Sequence, residues 1–327
     1  MAGPKSRSSV LIAVAISILL VVSPVHAWWC TGHMAVAEIA RRHLDPPVAA
    51  LVEKMSAKLS ASGPFPKNPD FVQLSCWADD LRSYGLRVMG EWHYRDTPYN
   101  PENIILNKSL VATDNVVTVL QSLVKTLSGE NAPEYVDNFA LGNIIHFYGD
   151  IHQPLHTSTL VSSQYPEGDQ GGNLINVVFK GKAMKLHALW DSMCQSPELS
   201  LPRPLGSPQY KKLMKFVDYL EETYKFTDEE KAEKSVALMA KESFKYATTV
   251  VYPGVRNGTV IDDEYTKKCK DTAEARVALA GYRLAAQLNH LFADAAPSDA
   301  ATPPWGIAPQ LRSIRRALSV YLGLPFW

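Results

Sequence analysis

The chain has 327 residues, with 33 Lys and Arg balanced by 33 Asp and Glu, so its formal net charge is zero. This balance excludes a broad basic field for long-range capture of duplex nucleic acid. Any nucleic-acid partner would have to be held by local charge, such as that of a bound metal ion.

The amino-terminal segment predicts a secretory signal. Two basic residues precede an apolar run over 10–22, and small residues end the segment at Ala27, so we expect cleavage before Trp28. Thirteen apolar residues are too few for a membrane span, which needs roughly 20. The predicted location is therefore secreted or in the endomembrane lumen, and Asn107 and Asn257 are glycosylation acceptors compatible with it.

Apolar spacing along the rest of the chain is mostly helical. Helices are predicted over His33–Leu44, Pro47–Leu59, Asp114–Leu127, Asn138–Asp150 and Thr272–Phe292. One β-hairpin is predicted over Leu174–Leu186, where two apolar runs flank a KGK turn, and its second arm leads directly into His187.

We therefore predict a mainly α, single-domain helical bundle with a small β-hairpin over residues 28–293, because no low-complexity linker divides that range. Residues 294–327 are predicted to be a Pro-rich linker followed by a short amphipathic tail. Docking on the body, disorder and weak contact with a membrane surface all remain open for the tail. It is too short and too charged to span a membrane.

The segment HFYGDIHQPLH carries the most chemical information. His146 and Asp150 lie one helical turn apart on one face, and a second pair at the same interval is formed by His187 and Asp191. Asp79 and His93 add further candidates. Mixed imidazole and carboxylate ligands are typical of catalytic zinc, whereas structural zinc sites are usually rich in Cys.

An isolated His on a helix is more often an ordinary residue than a ligand, and we interpret His43 and His290 in that way. His152 is less certain because Pro154 should end its helix. We expect His152 to support the site or face solvent, while His156 turns inward as a ligand.

The four cysteines suit an oxidising compartment and two disulfides, for which three connectivities exist. The first two each lie within three residues of a candidate ligand and should be close in space. We favour Cys30 with Cys76 and Cys194 with Cys269, with free buried thiols or thiolate ligands as alternatives.

An ordered set of motifs resembles the secreted zinc-dependent class I nucleases, which include single-strand-specific nucleases and 3′-nucleotidases. The resemblance extends to about Asn289. The matching positions are Trp28, His33, WAD at 77–79 with Arg82, His93, HFxGDxxQPLH at 146–156, GGN at 171–173 and LHxxWD at 186–191.

The resemblance implies a cluster of three zinc ions, with no ligand of the pattern missing. The implied first site is Asp79, His93, His146 and Asp150; the second is His156, His187 and Asp191; the third is His33, a bridging Asp150, and the α-amino group and carbonyl of Trp28.

The implied activity is cleavage of single-stranded RNA and DNA to 5′-phosphate ends, and release of phosphate from 3′-nucleotides. Zinc activates water for attack on phosphorus, with Asp79 orienting its proton and Arg82 clamping the phosphate. Tyr94, in place of the family's Phe, and Asp96 would hold a base, since stacking tolerates either ring. Ordinary packing and capping are the alternative for these two residues.

Two other functions remain open. The helical fold is similar to that of zinc-dependent phospholipases C, so a lipid phosphodiester is the second candidate substrate. An inactive secreted zinc-binding protein would show a substituted ligand or lack Arg82, and the chain shows neither. We expect a monomer with no obligate protein partner.

Overall fold

A computed structural model describes residues 28–62, 68–129, 132–195 and 201–294; the predicted signal, the linker beyond Asp294 and the tail lie outside this part. The described chain is mainly helical. Its α-helices are α1 (Cys30–Arg42), α2 (Pro46–Ser62), α3 (Phe71–Leu74), α4 (Trp77–Ser83), α5 (Val116–Leu127), α6 (Glu134–Asp150), α7 (Leu186–Asp191), α8 (Ser207–Thr223), α9 (Asp228–Ala232), α10 (Val236–Tyr246) and α11 (Asp263–Leu291).

Short segments of other kinds connect these helices. The 3₁₀ segments are Arg87–His93, Pro154–Thr157 and Met193–Gln195, and a π-helical turn, Ala247–Val251, continues α10. The strands are β1 (Pro98–Tyr99), β2 (Thr159–Leu160), β3 (Asn176–Phe179), β4 (Lys182–Lys185) and β5 (Thr259–Val260). β1 pairs with β2 in parallel, and the second sheet has the order β4-β3-β5, with β3 antiparallel to β4 and parallel to β5.

Helix α1 lies in the centre of the molecule, with residues 31–40 all buried, as expected of a helix that is enclosed on every side. It packs closely against α11. A Cβ on Gly281 of α11 would lie 2.5 Å from the Cβ of Ile39, so the close approach requires glycine at this position. His33 of α1 is completely buried, and its ring packs against His146 and Gly149 of α6.

Helix α6 is buried from Ala140 to Asp150. Its first turn carries Glu134 and Asp137, whose negative charges interact favourably with the positive, amino-terminal end of the helix dipole. The helix ends before Pro154, which disfavours helical backbone in the preceding residue. His146 and Asp150 therefore project from the last turns of a core helix.

Two disulfides join distant parts of the chain. Cys30, at the start of α1, is bonded to Cys76, one residue before α4, and Cys194 is bonded to Cys269 of α11. The pairs are those favoured from the sequence. The first one fastens α1 to α4, and each of these helices carries a candidate ligand.

The mainly α fold class and the β-hairpin are confirmed, and each predicted helix has a counterpart in the structure. The last helix begins at Asp263 instead of Thr272, because Asp262 caps it by accepting from the Tyr265 N–H at 2.7 Å. Helices α8 and α10 were not predicted. In the described ranges, no helix combines the length and the apolar character that a membrane crossing requires.

Candidate metal centre

Eight of the predicted ligand side chains come together in the core in three groups, two of which share His146. Within each group, one nitrogen or oxygen atom per residue lies within 4.8 Å of the others. The groups are His33, His146 and Asp150; Asp79, His93 and His146; and His156, His187 and Asp191. Every member is buried.

Asp150 lies at the centre of this arrangement and is fully buried. Its Oδ2 is 3.0 Å from His93 Nδ1 and 3.3 Å from His146 Nε2, and its Oδ1 is 3.4 Å from His33 Nε2. A single carboxylate thus faces three imidazoles, each from a different element. This is the geometry expected of a ligand that bridges two cations.

Asp79 of α4 lies beside His146 of α6 and His93 of the 3₁₀ segment Arg87–His93. Its Oδ1 is 3.7 Å from both His93 Nδ1 and His146 Nε2. These two ring nitrogens are themselves only 3.1 Å apart. Two nitrogens and one carboxylate oxygen that converge in this way can ligate the same ion.

The third group belongs to α7 and the 3₁₀ segment after α6. His187 and Asp191 are one turn apart on α7, with Nε2 and Oδ2 at 3.3 Å. His156 Nε2 lies 3.8 Å from Asp191 Oδ1. Strand β4 ends one residue before α7, so the hairpin fixes where His187 enters the site.

Backbone carbonyls orient three of the imidazoles. The Nδ1–H of His146 donates to the carbonyl of Ser75 at 2.6 Å, and that of His187 donates to Gly171 at 2.6 Å. His156 Nδ1–H donates to the carbonyl of His93 at 2.8 Å. Each bond leaves the Nε2 lone pair directed into the centre, as metal-ligating histidines require.

His33 is held differently. Its ring stacks on that of His146 with centroids 3.9 Å apart, and it lies against Gly149, where a Cβ would be 2.6 Å from Nδ1. The indole of the fully buried Trp28 donates to the Gly149 carbonyl at 2.9 Å. The backbone N–H of Trp29 donates to the carbonyl of Asp191 at 2.9 Å, so the segment before α1 lies beside the centre.

Several inward-facing atoms are buried and have no hydrogen-bond partner among the described residues. They are His33 Nε2, Asp150 Oδ1, His156 Nε2 and His187 Nε2. Buried polar groups are normally satisfied, so a cluster of such atoms calls for a ligand. Neutral imidazole and carboxylate together suit divalent transition metals, zinc above all.

The pKa shifts agree with this donor set. Burial lowers the pKa of His33 and of His187 to about 3, and it also lowers the pKa of His156, so these three rings are neutral at pH 7. Burial opposes charge on His146 too, but the carboxylates of Asp150 and Asp79 raise its pKa to about 9. A bound cation would take the place of that proton.

The predicted substrate residues lie at the edge of the centre. Arg82 is one turn after Asp79 on α4. Burial lowers the pKa of His187 and raises that of Asp191; the charge of Arg82 adds to the first shift and opposes the second. Tyr94 and Asp96 are partly buried near one another. Burial raises the pKa of Tyr94, and the charge of Asp96 adds to this shift.

Sequence reasoning missed several residues that support the centre. The buried Gln153 donates to Asp191 Oδ1 at 2.6 Å. Asp169 accepts from the Leu160 N–H at 2.7 Å and from the Tyr252 hydroxyl at 3.1 Å, which holds the loop that presents Gly171. Gln153 lies inside the QPLH motif, next to the candidate ligand His156, and this position could have identified it from the sequence.

His152 is buried behind the centre. Its Nδ1–H donates to the Tyr148 carbonyl at 2.7 Å, and its Nε2 accepts from Arg283 at 3.2 Å. Burial, with the charges of Arg276 and Arg283, lowers its pKa well below the usual value. The residue supports the turn between α6 and His156, one of the two roles expected.

The remaining predicted residues lie away from the centre. His43 follows α1 as its C-cap residue and bonds to Glu221 at 2.7 Å, whereas His290 lies within α11; neither belongs to a His/Asp group of the centre. Asn107 and Asn257 are exposed, and their glycosylation remains a prediction.

The sequence is similar to those of known nucleases. A family model described as S1/P1 Nuclease matches residues 28–293. "Endonuclease 2" of Arabidopsis thaliana is 28% identical over 306 residues, which cover 89% of this chain and 100% of that protein. "Nuclease S1" of Aspergillus oryzae is 25% identical over 303 residues, covering 85% and 96%. "Nuclease P1" of Penicillium citrinum is 26% identical over 172 residues, covering 50% and 57%.

The family model covers most of the chain and includes every residue of the three His/Asp groups. On the strength of that match, the chain belongs to the S1/P1 nuclease family.

Proposed function

We propose that the protein is a three-zinc phosphoesterase that cleaves single-stranded RNA and DNA and removes phosphate from 3′-nucleotides. The observation that supports this most directly is the set of three buried His/Asp groups, two of which share His146. Membership of a nuclease family supports a nucleotide rather than a lipid substrate.

The first two ions would be held by side chains alone. Asp79, His93, His146 and Asp150 would bind one ion, and His156, His187 and Asp191 would bind another. The third would take His33, the other oxygen of Asp150, and the α-amino group and carbonyl of Trp28. This assignment rests on the distances around Asp150 and on the position of Trp28 beside Gly149.

Bound zinc supplies Lewis-acid charge that lowers the pKa of water and stabilises the developing charge on phosphate oxygens. The chain's own residues supply the rest. Asp79 retains slight exposure, whereas Asp150 and His146 have none, which supports Asp79 as the carboxylate that contacts the attacking water. From there its carboxylate orients and accepts the proton of the attacking water.

Arg82 holds the phosphate. It is half-buried on α4, one turn after Asp79, and its planar guanidinium can bind two phosphate oxygens at once. Attack opposite the 3′-oxygen breaks the P–O3′ bond, which leaves a 5′-phosphate on a polymer and frees phosphate from a 3′-nucleotide. The departing 3′-oxygen takes up one proton, which balances the proton that Asp79 accepts from the attacking water.

Tyr94 and Asp96 bind the base, Tyr94 by stacking and Asp96 through the base edge. A base held in this way cannot remain paired in a duplex, which accounts for selection of single strands. The nuclease would be a single domain over 28–293, made with a cleaved signal and acting as a monomer after secretion or in the endomembrane lumen.

The test combines metal analysis with substrate choice. We expect the purified mature protein to contain about three zinc ions and to release phosphate from 3′-AMP but not from 5′-AMP. It should also cleave single-stranded RNA far faster than duplex RNA. Release from 5′-AMP alone, or rapid turnover of phosphatidylcholine, would overturn the proposal.

A further inference from the structure

Two arginines of α11, Arg276 and Arg283, are buried behind the metal centre. A buried charge is costly unless it is paired and hydrogen-bonded. Glu242 of α10 pairs with both, at 3.0 Å from Arg276 and 2.6 Å from Arg283. One carboxylate cannot accept from every N–H group of two guanidinium groups, so the remaining donors need other acceptors.

Two of those acceptors are atoms of His152, in the turn 151–153 that follows α6. Arg276 Nε–H donates to the His152 carbonyl at 3.2 Å, and Arg283 donates to His152 Nε2 at 3.2 Å. Ser243 of α10 donates to the Ile151 carbonyl at 2.6 Å and accepts from Arg276 at 2.8 Å. Ser243, Arg276 and Arg283 thus form a clamp on the turn from two helices.

The clamp satisfies the end of a buried helix. The last carbonyls of an α-helix have no partner within the helix. In α6, the carbonyl of Tyr148 accepts from the His152 ring at 2.7 Å and that of Gly149 accepts from the His152 N–H at 3.1 Å. The carbonyls beyond the helix end, of Ile151 and His152, accept from the clamp. A cation is favoured at this position, because the carboxyl-terminal end of the helix dipole is negative.

The turn connects residues that serve different ions. Asp150 ends α6 immediately before it, whereas Gln153 and His156 come at its end and just after it. His156 belongs to the group with His187 and Asp191, which we call the His156 site. Gln153 donates to Asp191 at 2.6 Å. The path of the chain through the turn therefore decides where two parts of the His156 site lie.

We propose that Ser243, Arg276 and Arg283 are positioning residues for the His156 site, acting through the turn 151–153. The inference rests on the proposed function and extends it to side chains that touch neither an ion nor the substrate. The group of Asp79, His93 and His146 should depend on the clamp less. Those ligands are held on α4, on the 3₁₀ segment Arg87–His93 and on α6, all of which precede the turn.

Two variants loosen the clamp in different ways. Ser243→Ala removes the bond to the Ile151 carbonyl, whereas Arg276→Lys keeps a positive charge beside Glu242 but loses the planar fork that reaches the turn. Zinc affinity is measured in the mature protein by competition with a chelator. We expect one ion to be weakened by about 10- to 100-fold, the usual cost of losing a residue that supports a ligand. The other ions should keep the parent's affinity.

The variant His156→Ala identifies the ion that is affected. It already lacks a ligand of the His156 site, so adding Ser243→Ala should not weaken the ions that remain. The matched control is Tyr224→Phe, which removes a bond of 2.7 Å from the end of α8 to the buried Glu274 of α11. It should lower the free energy of unfolding and leave every zinc affinity unchanged.

Hydrogen exchange gives a readout that needs no metal. The Gln153 N–H donates to the Asp150 carbonyl at 2.9 Å, within the clamped turn. In the zinc-free protein this N–H should exchange faster in both clamp variants than in the parent. Tyr224→Phe should leave its exchange at the parent's rate.

Equal weakening of all the ions, or weakening by Ser243→Ala that persists beside His156→Ala, would overturn the proposal and reduce the clamp to general support of the core. Parent-like zinc affinity in both clamp variants would overturn it as well. A parent protein that binds zinc but cleaves neither single-stranded RNA nor 3′-AMP would instead overturn the proposed function, and the zinc affinities would still decide the role of the clamp.

Discussion

The side-chain amide of Gln153 donates to the carboxylate of Asp191 at 2.6 Å, and both residues are buried. Gln153 follows α6 by three residues, whereas Asp191 ends α7, so the bond joins two elements that carry candidate ligands. It leaves Asp191 Oδ2 to face His187 at 3.3 Å. A ligand carboxylate oriented in this way needs little rearrangement when it binds a cation.

Gln153→Ala should therefore weaken the ion held by Asp191. The cost of losing such a supporting contact is about 10- to 100-fold in metal affinity. Zinc titration against a competing chelator measures it. Gln153→Glu keeps the size but places a second acid against Asp191, and it should weaken zinc further at high pH. Parent-like affinity in both variants would assign Gln153 to packing alone.

Gly149→Ala tests the close approach of α6 to His33. A Cβ would lie 2.6 Å from the buried His33 Nδ1, so the imidazole must move and we expect one zinc ion to be lost. Stability should fall by about 1–3 kcal/mol through overpacking. The control is Gly90→Ala, where a Cβ meets nothing within 4 Å. Metal content and thermal unfolding should change only in the first variant.

Arg82→Ala should separate metal binding from catalysis. Arg82 belongs to none of the three His/Asp groups, so the variant should keep its full zinc content. Loss of a charge-assisted phosphate contact of about 2–3 kcal/mol corresponds to a fall in kcat/KM of roughly 30- to 150-fold. Loss of zinc together with unfolding would make Arg82 a structural ion-pair partner instead.

Asp96 should give the substrate affinity a pH dependence. Burial raises its pKa to about 7, and the charges of Asp169 and Glu91 add to the shift. The carboxylate that can accept from base N–H groups therefore forms only as the pH rises through neutrality. The KM for 3′-GMP should fall between pH 6 and pH 8 in the parent. This fall should be absent in the Asp96→Asn variant.

The raised pKa of Asp96 also makes the stability of the fold depend on pH, and here the stabilising effect falls as the pH rises. Because the folded state binds the Asp96 proton more tightly than the unfolded chain, this contribution to stability is present below the ordinary pKa of 3.8 and is lost as pH rises toward about 7. Asp96→Asn should remove that component from the pH profile of the free energy of unfolding. A profile identical to the parent's would contradict the assignment.

A residue added before Trp28 should remove one metal site. The proposed third site uses the free α-amino group, and an extra residue converts that nitrogen into an amide, whose lone pair is delocalised. Trp28 is fixed beside the centre by its indole bond to Gly149, so it cannot shift to compensate. The extended protein should bind about two zinc ions, and trimming should restore three; full occupancy in the extended form would exclude the terminus as a ligand.

The sequence by itself determined the residue types and local spacing of the candidate centre. His146 and Asp150, like His187 and Asp191, are one helical turn apart, so helical periodicity alone places each pair on one face. The helical class followed from apolar spacing, and the favoured disulfide pairs followed from the position of two cysteines near candidate ligands.

Only the tertiary structure decided what surrounds and orients those residues. Ser75 and Gly171 act through backbone carbonyls, which every residue type has, so no sequence pattern could identify them. Gln153 and Asp191 are 38 positions apart, and their bond depends on how α6 and α7 pack. Helices α8 and α10 were missed for a different reason: their apolar residues do recur at helical spacing, as Leu213, Phe216, Val217 and Leu220 do in α8, so the local pattern was present and was not used.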